Sequence, residues 1–354
     1  MRILITGGAG FVGSFLARRF RETDPKARIV AFDNLHRRGS ELNLADFRRR
    51  GIDFVHGDIR CRADLDSIEG TFDVFVEASA EPSVAAGFTS SPAYALETNL
   101  VGTLHCLERA RARAGAFVFL STSRVYSAAR LTECASVEEA QRLDFAVSDG
   151  VPGLSARGIA ESFPTSAPRS LYGATKLASE QIVLEYGASY GMLTVVNRCG
   201  VVAGPGQFGK VDQGVFGLWV LNHCFGRKLA YTGFGGAGKQ VRDLLHPEDL
   251  FQLVRMQLAS PEKARGRTFN AGGGKAGSVS LCEWTRYCAE ATGRTIEIGS
   301  SPETAAWDIP VYYSDCADAQ RTLGWAPKLS PKQIATDTAA WVKTHEADLR
   351  ALYA

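Results

Sequence analysis

Residues 2–14, Arg-Ile-Leu-Ile-Thr followed by Gly-Gly-Ala-Gly-Phe-Val-Gly-Ser, leave this chain few ways to fold. A short apolar run of strand length empties into glycines at 7, 10 and 13, and a helical pattern, Val12–Glu22, follows. Gly7 permits a tight turn, Gly10 lets the backbone approach a pyrophosphate, and Gly13 lets helix and strand pack closely. The helix N-terminus then offers free N–H groups to phosphate oxygens. Asp33 ends the next apolar run twenty residues past Gly13, where a carboxylate for ribose hydroxyls is expected. Together these features predict a dinucleotide site. The carboxylate favours NAD, because it repels the 2′-phosphate of NADP; Arg37 and Arg38 read as solvated loop charges. Asp58 and Ile59, closing a third run, suit the adenine edge.

The opening unit repeats. "RIVAFD", "DFVHGD", "DVFVEAS" and "AFVFLST" have strand length and end in Gly or polar residues, and "MLTVVNRCG" (192–200) is a sixth such run. Helical stretches such as Tyr94–Arg113 lie between them. Continuous apolar strands alternating with helices predict an α/β fold, a doubly wound parallel sheet of Rossmann type. After residue 199 glycine-rich connections separate short elements, which predicts a smaller, interleaved C-terminal substrate domain. The expected bounds are 1–198, with a return segment at about 241–275, for the NAD-binding domain, and 199–240 with 276–354 for the second. Residues 278–293 read as a capped helix. The long irregular stretch 127–168 reads as a binding loop or a poorly ordered segment.

Composition excludes several classes. Among 354 residues, 40 Lys and Arg face 38 Asp and Glu, which argues against a non-specific nucleic-acid or acidic-membrane binder. The N-terminal apolar run is too short for a signal peptide or a membrane span. The eight cysteines form no C-x-x-C pair and no cluster with metal spacing. They read as reduced thiols of a cytoplasmic protein, with no metal site.

Tyr172 and Lys176 stand four apart, on one face of a helix. A phenol is a poor base at its ordinary pKa near 10, and a neighbouring ammonium lowers it. With this pair the chain resembles the extended short-chain dehydrogenase/reductases, in their nucleotide-sugar epimerase and dehydratase branch. The motifs are "TGGAGFVG", "DNL" at 33–35, "GDIR" at 57–60, "ETNLVGT" at 97–103, "STSRVY" at 121–126, "YGATK" and "GKQVRDLLHPED" at 238–249. The resemblance covers nearly the whole chain. It implies Thr122, Tyr172 and Lys176 as the catalytic set. It implies NAD bound by Gly7, Gly10, Phe11, Val12, Gly13, Asp33, Asn34, Asp58, Ile59, Ala78, Asn99, Tyr172, Lys176 and Cys199. A nucleotide-diphosphate sugar would meet Arg124, Gln213 and Arg242. A homo-oligomer, dimer or tetramer, formed through the helices at 97–113 and 171–186, is implied as well. Asp243, His246 and Asp249 read as hinge and packing residues.

Sugar-nucleotide 4,6-dehydratases, which resemble this chain, place an Asp-Glu pair where Ser123 and Arg124 stand. Elimination needs a base and an acid, and a permanently charged guanidinium is neither. The expected reaction is therefore epimerisation by transient oxidation and re-reduction. A narrower resemblance, in 206–219 and 238–250, is to the CDP-paratose 2-epimerase group, which implies C2 of a CDP-deoxyhexose. Glu81, where a glutamine is usual, and Ser127, where a glycine is usual, depart from that group. A UDP-glucose 4-epimerase-like activity is the alternative. A non-catalytic NAD-binding sensor is a third reading, against which the intact Thr122, Tyr172 and Lys176 set speaks.

Overall fold

The computed structural model describes residues 1–88, 91–147, 150–209 and 214–353, so Gln213 lies outside the described residues. Seven strands form one sheet in the order Arg267–Ala271, Leu193–Cys199, Ala114–Thr122, Phe72–Glu77, Arg2–Thr6, Arg28–Asp33, Asp53–His56. Every pairing in it is parallel. The chain starts in the middle, winds to one edge, then crosses back and winds to the other. Strand order reverses between Arg2–Thr6 and Phe72–Glu77, which opens a crevice beyond their C-terminal ends.

The strands are mostly apolar because both faces are covered. On one face Leu16, Phe20, Ile29, Phe251 and Val254 form a core under the helices Phe11–Thr23 and Pro247–Ala259. On the other, Phe75, Phe117, Phe119, Cys106 and Val183 form a core under Gly102–Arg113 and Leu171–Tyr190. Burial of each such large apolar side chain contributes about 1.5–3 kcal/mol. The doubly wound parallel sheet expected from the alternation is the fold observed.

The second sheet differs from expectation in one boundary. Val241–Leu245 pairs parallel with Val201–Val202 and Val311–Tyr312, and antiparallel with Ser278–Ser280. The return to the large sheet thus begins after it, with Pro247–Ala259, whose Phe251 meets Phe20 at 5.1 Å. Val241–Leu245 is buried along its whole length, its Arg242 and Asp243 included, so neither an alternating nor a continuous apolar pattern reveals which sheet it joins. Arg267–Ala271 adds a seventh strand to the six read from the sequence. The helix expected within 278–293 runs Leu281–Thr292 behind a capping box of Ser280 and Glu283.

The 127–168 stretch is folded where it is described. It forms the helix Ala128–Glu133 and the hairpins Ser136–Glu138/Leu143–Phe145 and Leu154–Ser155/Gly158–Ile159. Phe145, Ile159 and Phe163 are buried with Tyr126, Tyr312 and Tyr313. Its order comes from aromatic partners supplied by distant residues, which local pattern does not record.

Candidate active site

A cavity of about 380 Å³ fills the crevice. Ten of the expected cofactor residues line it: Gly7, Gly10, Phe11, Val12, Gly13, Asp33, Asn34, Asp58, Ile59 and Ala78. Gly7 has φ +63°, and a Cβ there would lie 2.7 Å from the Ala78 backbone. A Cβ on Gly13 would lie 2.1 Å from the Gly7 carbonyl oxygen. The helix Phe11–Thr23 starts at Gly10 with no side-chain cap, which leaves its first N–H groups for a ligand. The Asp33 carboxylate is fixed by the N–H of Ala9 at 3.1 Å and of Leu35 at 2.8 Å. Burial raises its pKa above the ordinary range. Asp58 accepts from Asn34 at 2.9 Å and from Arg60 at 2.7 Å. Burial would raise its pKa, but the hydrogen bonds from Arg60 and Asn34 prevail and bring it down to about 2. Backbone that no Cβ may enter, an uncapped helix start and an anchored carboxylate together fit a dinucleotide.

Several wall residues were not foreseen. Tyr94 faces the cavity, with Arg60 over its ring at 4.6 Å and His36 beside it at 4.7 Å. Gln207 and Phe208 close the wall from a distant loop. Arg37, expected as a solvated charge, also lines the cavity and donates to the Phe208 carbonyl. No local motif marks Tyr94 or His36, whereas Gln207 and Phe208 lie within the 206–219 stretch that carries the narrower resemblance.

Thr122, Tyr172, Lys176 and Cys199 do not line this cavity; all four are buried. Thr122 ends its strand and accepts from the Arg124 N–H at 3.2 Å. Ser170 caps the helix that carries Tyr172 and Lys176. Burial pushes the Tyr172 phenol up to about 12, while the Thr122 hydroxyl and then the Arg124 charge pull it down. The lowering comes from Thr122 and Arg124, not from the lysine as expected, and desolvation outweighs it. Lys176 Nζ sits 3.8 Å above the Phe119 ring; burial lowers its pKa and Glu77 opposes. Burial likewise pushes the Cys199 thiol up to about 12. The Asn99 amide is occupied by protein: it accepts from the Glu81 N–H at 2.8 Å and donates to the Glu81 carbonyl at 3.0 Å and Thr175 at 3.3 Å. It thereby holds Glu81 on the cavity wall instead of facing the cavity itself. Glu81 is among the charges that raise the Tyr172 phenol, so a carboxylate does act on this centre, from position 81 and not from 123–124.

Arg124 and Arg242 converge on Asp308, at 3.9 and 2.6 Å. Arg242 also donates to the carbonyls of Val241 at 2.8 Å and Ile309 at 2.7 Å. Burial, then the Arg242 charge, lowers the Arg124 pKa to about 10. Two guanidinium groups sharing one carboxylate leave a positive excess suited to a phosphate. Arg124 further reaches the Trp307 carbonyl at 3.4 Å, and the Trp307 ring meets Phe88 at 4.3 Å. Asp243, His246 and Asp249 tie chain segments together: Asp243 accepts from the Ser314 N–H, His246 from Glu248, and Asp249 from Lys328 and Leu329. Among the described residues no cluster of three or more His, Cys, Asp or Glu could hold a metal ion. Among them, too, no helix is long and apolar enough to cross a membrane.

A family model described as GDP-mannose 4,6 dehydratase matches residues 4–338. The chain belongs to that family. The resemblance read from its motifs, to the nucleotide-sugar epimerases and dehydratases among the extended short-chain dehydrogenase/reductases, is borne out. A CDP-paratose 2-epimerase of Salmonella typhi is 30% identical over 94% of this chain and 96% of that protein. A UDP-glucose 4-epimerase of Corynebacterium glutamicum is 29% identical over 92% of this chain and 91% of its own length. The solved structure of a dTDP-glucose 4,6-dehydratase from Bacillus anthracis in complex with NAD superposes with a TM-score of 0.76 at 25% identity, covering 99% of both chains.

Proposed function

We propose that this protein is an NAD-dependent nucleotide-sugar epimerase that inverts C2 of a CDP-linked deoxyhexose by transient oxidation and re-reduction. The observation that carries this reading is Arg124. Two residues past the Thr122 strand end, the group whose charge acts on the Tyr172 phenol is a guanidinium, where elimination requires an acid and a base. The likeness to a CDP-paratose 2-epimerase supports the nucleotide and the carbon.

NAD would be held by the N–H groups at Phe11 and Val12 against its pyrophosphate, by Asp33 at a ribose, and by Asp58 and Ile59 at the adenine. When bound it supplies the hydride acceptor and donor that such a reaction needs. The chain itself manages the proton. Tyr172 Oη accepts the proton of the reacting sugar hydroxyl and later returns it, and Thr122 Oγ1 shares that oxygen. With its pKa at about 12 the phenol is protonated at neutral pH, so a positive charge must favour its ionised form. Lys176, one helical turn away, supplies it. Arg124 and Arg242 bind the diphosphate in place of Asp308. Asn99 positions Glu81. The neighbouring helices leave Leu96, Val101, Leu104 and Leu171 exposed, which supports a homo-oligomer. All eight cysteines are free thiols, which suits the reducing cytoplasm.

The test is turnover of CDP-paratose, and then of UDP-glucose, in deuterated water. Inversion with no deuterium at the inverted carbon or its neighbours is expected. Wash-in at a neighbouring carbon, or loss of water from the sugar, would refute the scheme and make Glu81 the base. Inversion of UDP-glucose alone would move the reaction to the alternative sugar, and inertness toward every sugar nucleotide would favour a sensor. Tyr172→Phe should lower turnover by ~10²–10⁴ while sugar-nucleotide binding survives.

A further inference from the structure

Glu77 lies fully buried at the C-terminal end of its strand, and no motif points to it. Its register partners are Thr6 on one side and Phe119 on the other. Side chains of register partners in adjacent strands share one face of the sheet. The Phe119 ring is the one that seats Lys176 Nζ at 3.8 Å. Glu77 therefore stands beside the seat of the lysine. One of its oxygens accepts from Thr103 Oγ1 at 2.7 Å. The other, Oε2, has no hydrogen-bond partner among the described residues. A carboxylate wholly removed from water stays charged only if another charge compensates it. Lys176 is the cation that acts on it, and Glu77 is the foremost of the groups that keep Lys176 protonated.

We infer that Glu77 is a positioning residue of this site: its carboxylate, anchored by Thr103 beside Phe119, keeps the Lys176 ammonium charged and available to Tyr172. The inference rests on the roles proposed above for Tyr172 and Lys176. The other titratable groups acting on Lys176 are Cys199, Glu180 and Cys106. Glu180 is committed to Arg198 at 2.8 Å. Burial pushes Cys199 up to about 12 and Cys106 well above its ordinary range, so both remain thiols at neutral pH. Burial raises Glu77 to about 7, against the pull of Lys176 and Thr103. Glu77 is thus the neighbour of Lys176 whose charge changes in the neutral range. Above that pH the lysine has its counter-charge; below it the acid is neutral and the counter-charge is gone.

Glu77→Gln keeps the size and the acceptor for Thr103 but removes the charge. With a sugar nucleotide that the wild type turns over, wild-type kcat should fall on the acid side through about pH 7. The variant should lack that limb, with kcat lowered about tenfold, the equivalent of one pKa unit of lost charge stabilisation, and KM unchanged. A readout free of turnover is the infrared C=O band of the buried protonated carboxyl, isolated as the difference between wild type and Glu77→Gln. It should vanish as pH rises through the same value. Thr103→Val removes a donor to the charged form and should move both limb and band to higher pH. It also decides the matter alone if Glu77→Gln does not fold. A Glu77→Gln profile superimposed on that of the wild type, or a limb unmoved by Thr103→Val, would overturn the inference. Full turnover by Tyr172→Phe would instead overturn the reading beneath it.

Discussion

Replacing Gly13 by alanine should cripple the dinucleotide site without touching any group that bonds the ligand. The new Cβ would lie 2.1 Å from the Gly7 oxygen, 2.8 Å from the Gly7 carbonyl carbon and 2.9 Å from Gly8 Cα. All three are backbone atoms. The Gly7 oxygen is also tied by the Gly10 N–H at 3.0 Å, so the turn cannot readily yield. A relaxed carbon–oxygen contact is about 3.3 Å, so the helix must retreat by roughly 1 Å. The N–H groups of Phe11 and Val12 retreat with it, beyond hydrogen-bond reach of a pyrophosphate. Charge-assisted bonds contribute about 1.5–3 kcal/mol each, so losing two weakens NAD binding by at least about 3 kcal/mol, roughly a hundredfold in Kd. Overpacking should remove a further ~1–3 kcal/mol of folding stability. Gly51→Ala is the control: Gly51 has φ +66° but nothing within 4 Å of a Cβ. It should cost only left-handed strain of about 1–2 kcal/mol and leave NAD binding alone. The assay is NAD titration followed by protein fluorescence, with urea unfolding in parallel. A Gly13→Ala protein that binds NAD within about threefold of the wild type would refute the steric reasoning.

Asp33→Asn should narrow the preference for NAD over NADP, because the carboxylate that repels a 2′-phosphate is gone; equal affinities in the wild type would show that Arg37, on the cavity wall, holds the 2′-phosphate. Asp58, held down to about 2 by Arg60 and Asn34 against its burial, contributes stability that is present above its ordinary pKa near 4 and lost as pH falls through about 2. Asp58→Asn should therefore lose about 1–2 kcal/mol less than the wild type across that window in acid unfolding. Arg198→Met strands the buried Glu180 carboxylate, which Arg198 meets at 2.8 Å, and should cost ~3–5 kcal/mol in urea unfolding. A loss near zero would show that water reaches Glu180.

Outside 127–168, the order of the sheet strands up to residue 199 was legible because each carries its own period. Boundaries moved by only a few residues: the helix read from Val12 starts at Phe11, and the strand read at 192–200 runs Leu193–Cys199. The glycine cradle was legible for a steric reason confined to one turn. The assignment of Val241–Leu245 to a sheet was not, since a fully buried strand looks alike in either. The roles expected of Asn99 and Arg242 came from resemblance to relatives. The structure shows what each side chain touches here, Glu81 in one case and Asp308 in the other.

Local sequence determined what depends on neighbours along the chain. The turn at Gly7, the helix start at Gly10, the shared face of Tyr172 and Lys176 and the capping box at Ser280 all follow from residues a few positions apart. Tertiary structure alone decided the rest. Asp308 lies between Arg124 and Arg242, Phe208 closes the cavity over Arg37, and Glu77 comes to stand beside Phe119 under Lys176. These contacts join residues far apart in the chain, and their geometry exists only once two cores have packed. The chemistry followed the packing for the same reason. Whether Tyr172 titrates near its ordinary value or at about 12, and Glu77 near 4 or at about 7, is set by the water each has lost. Desolvation is a property of the surroundings and is written in no single stretch of residues.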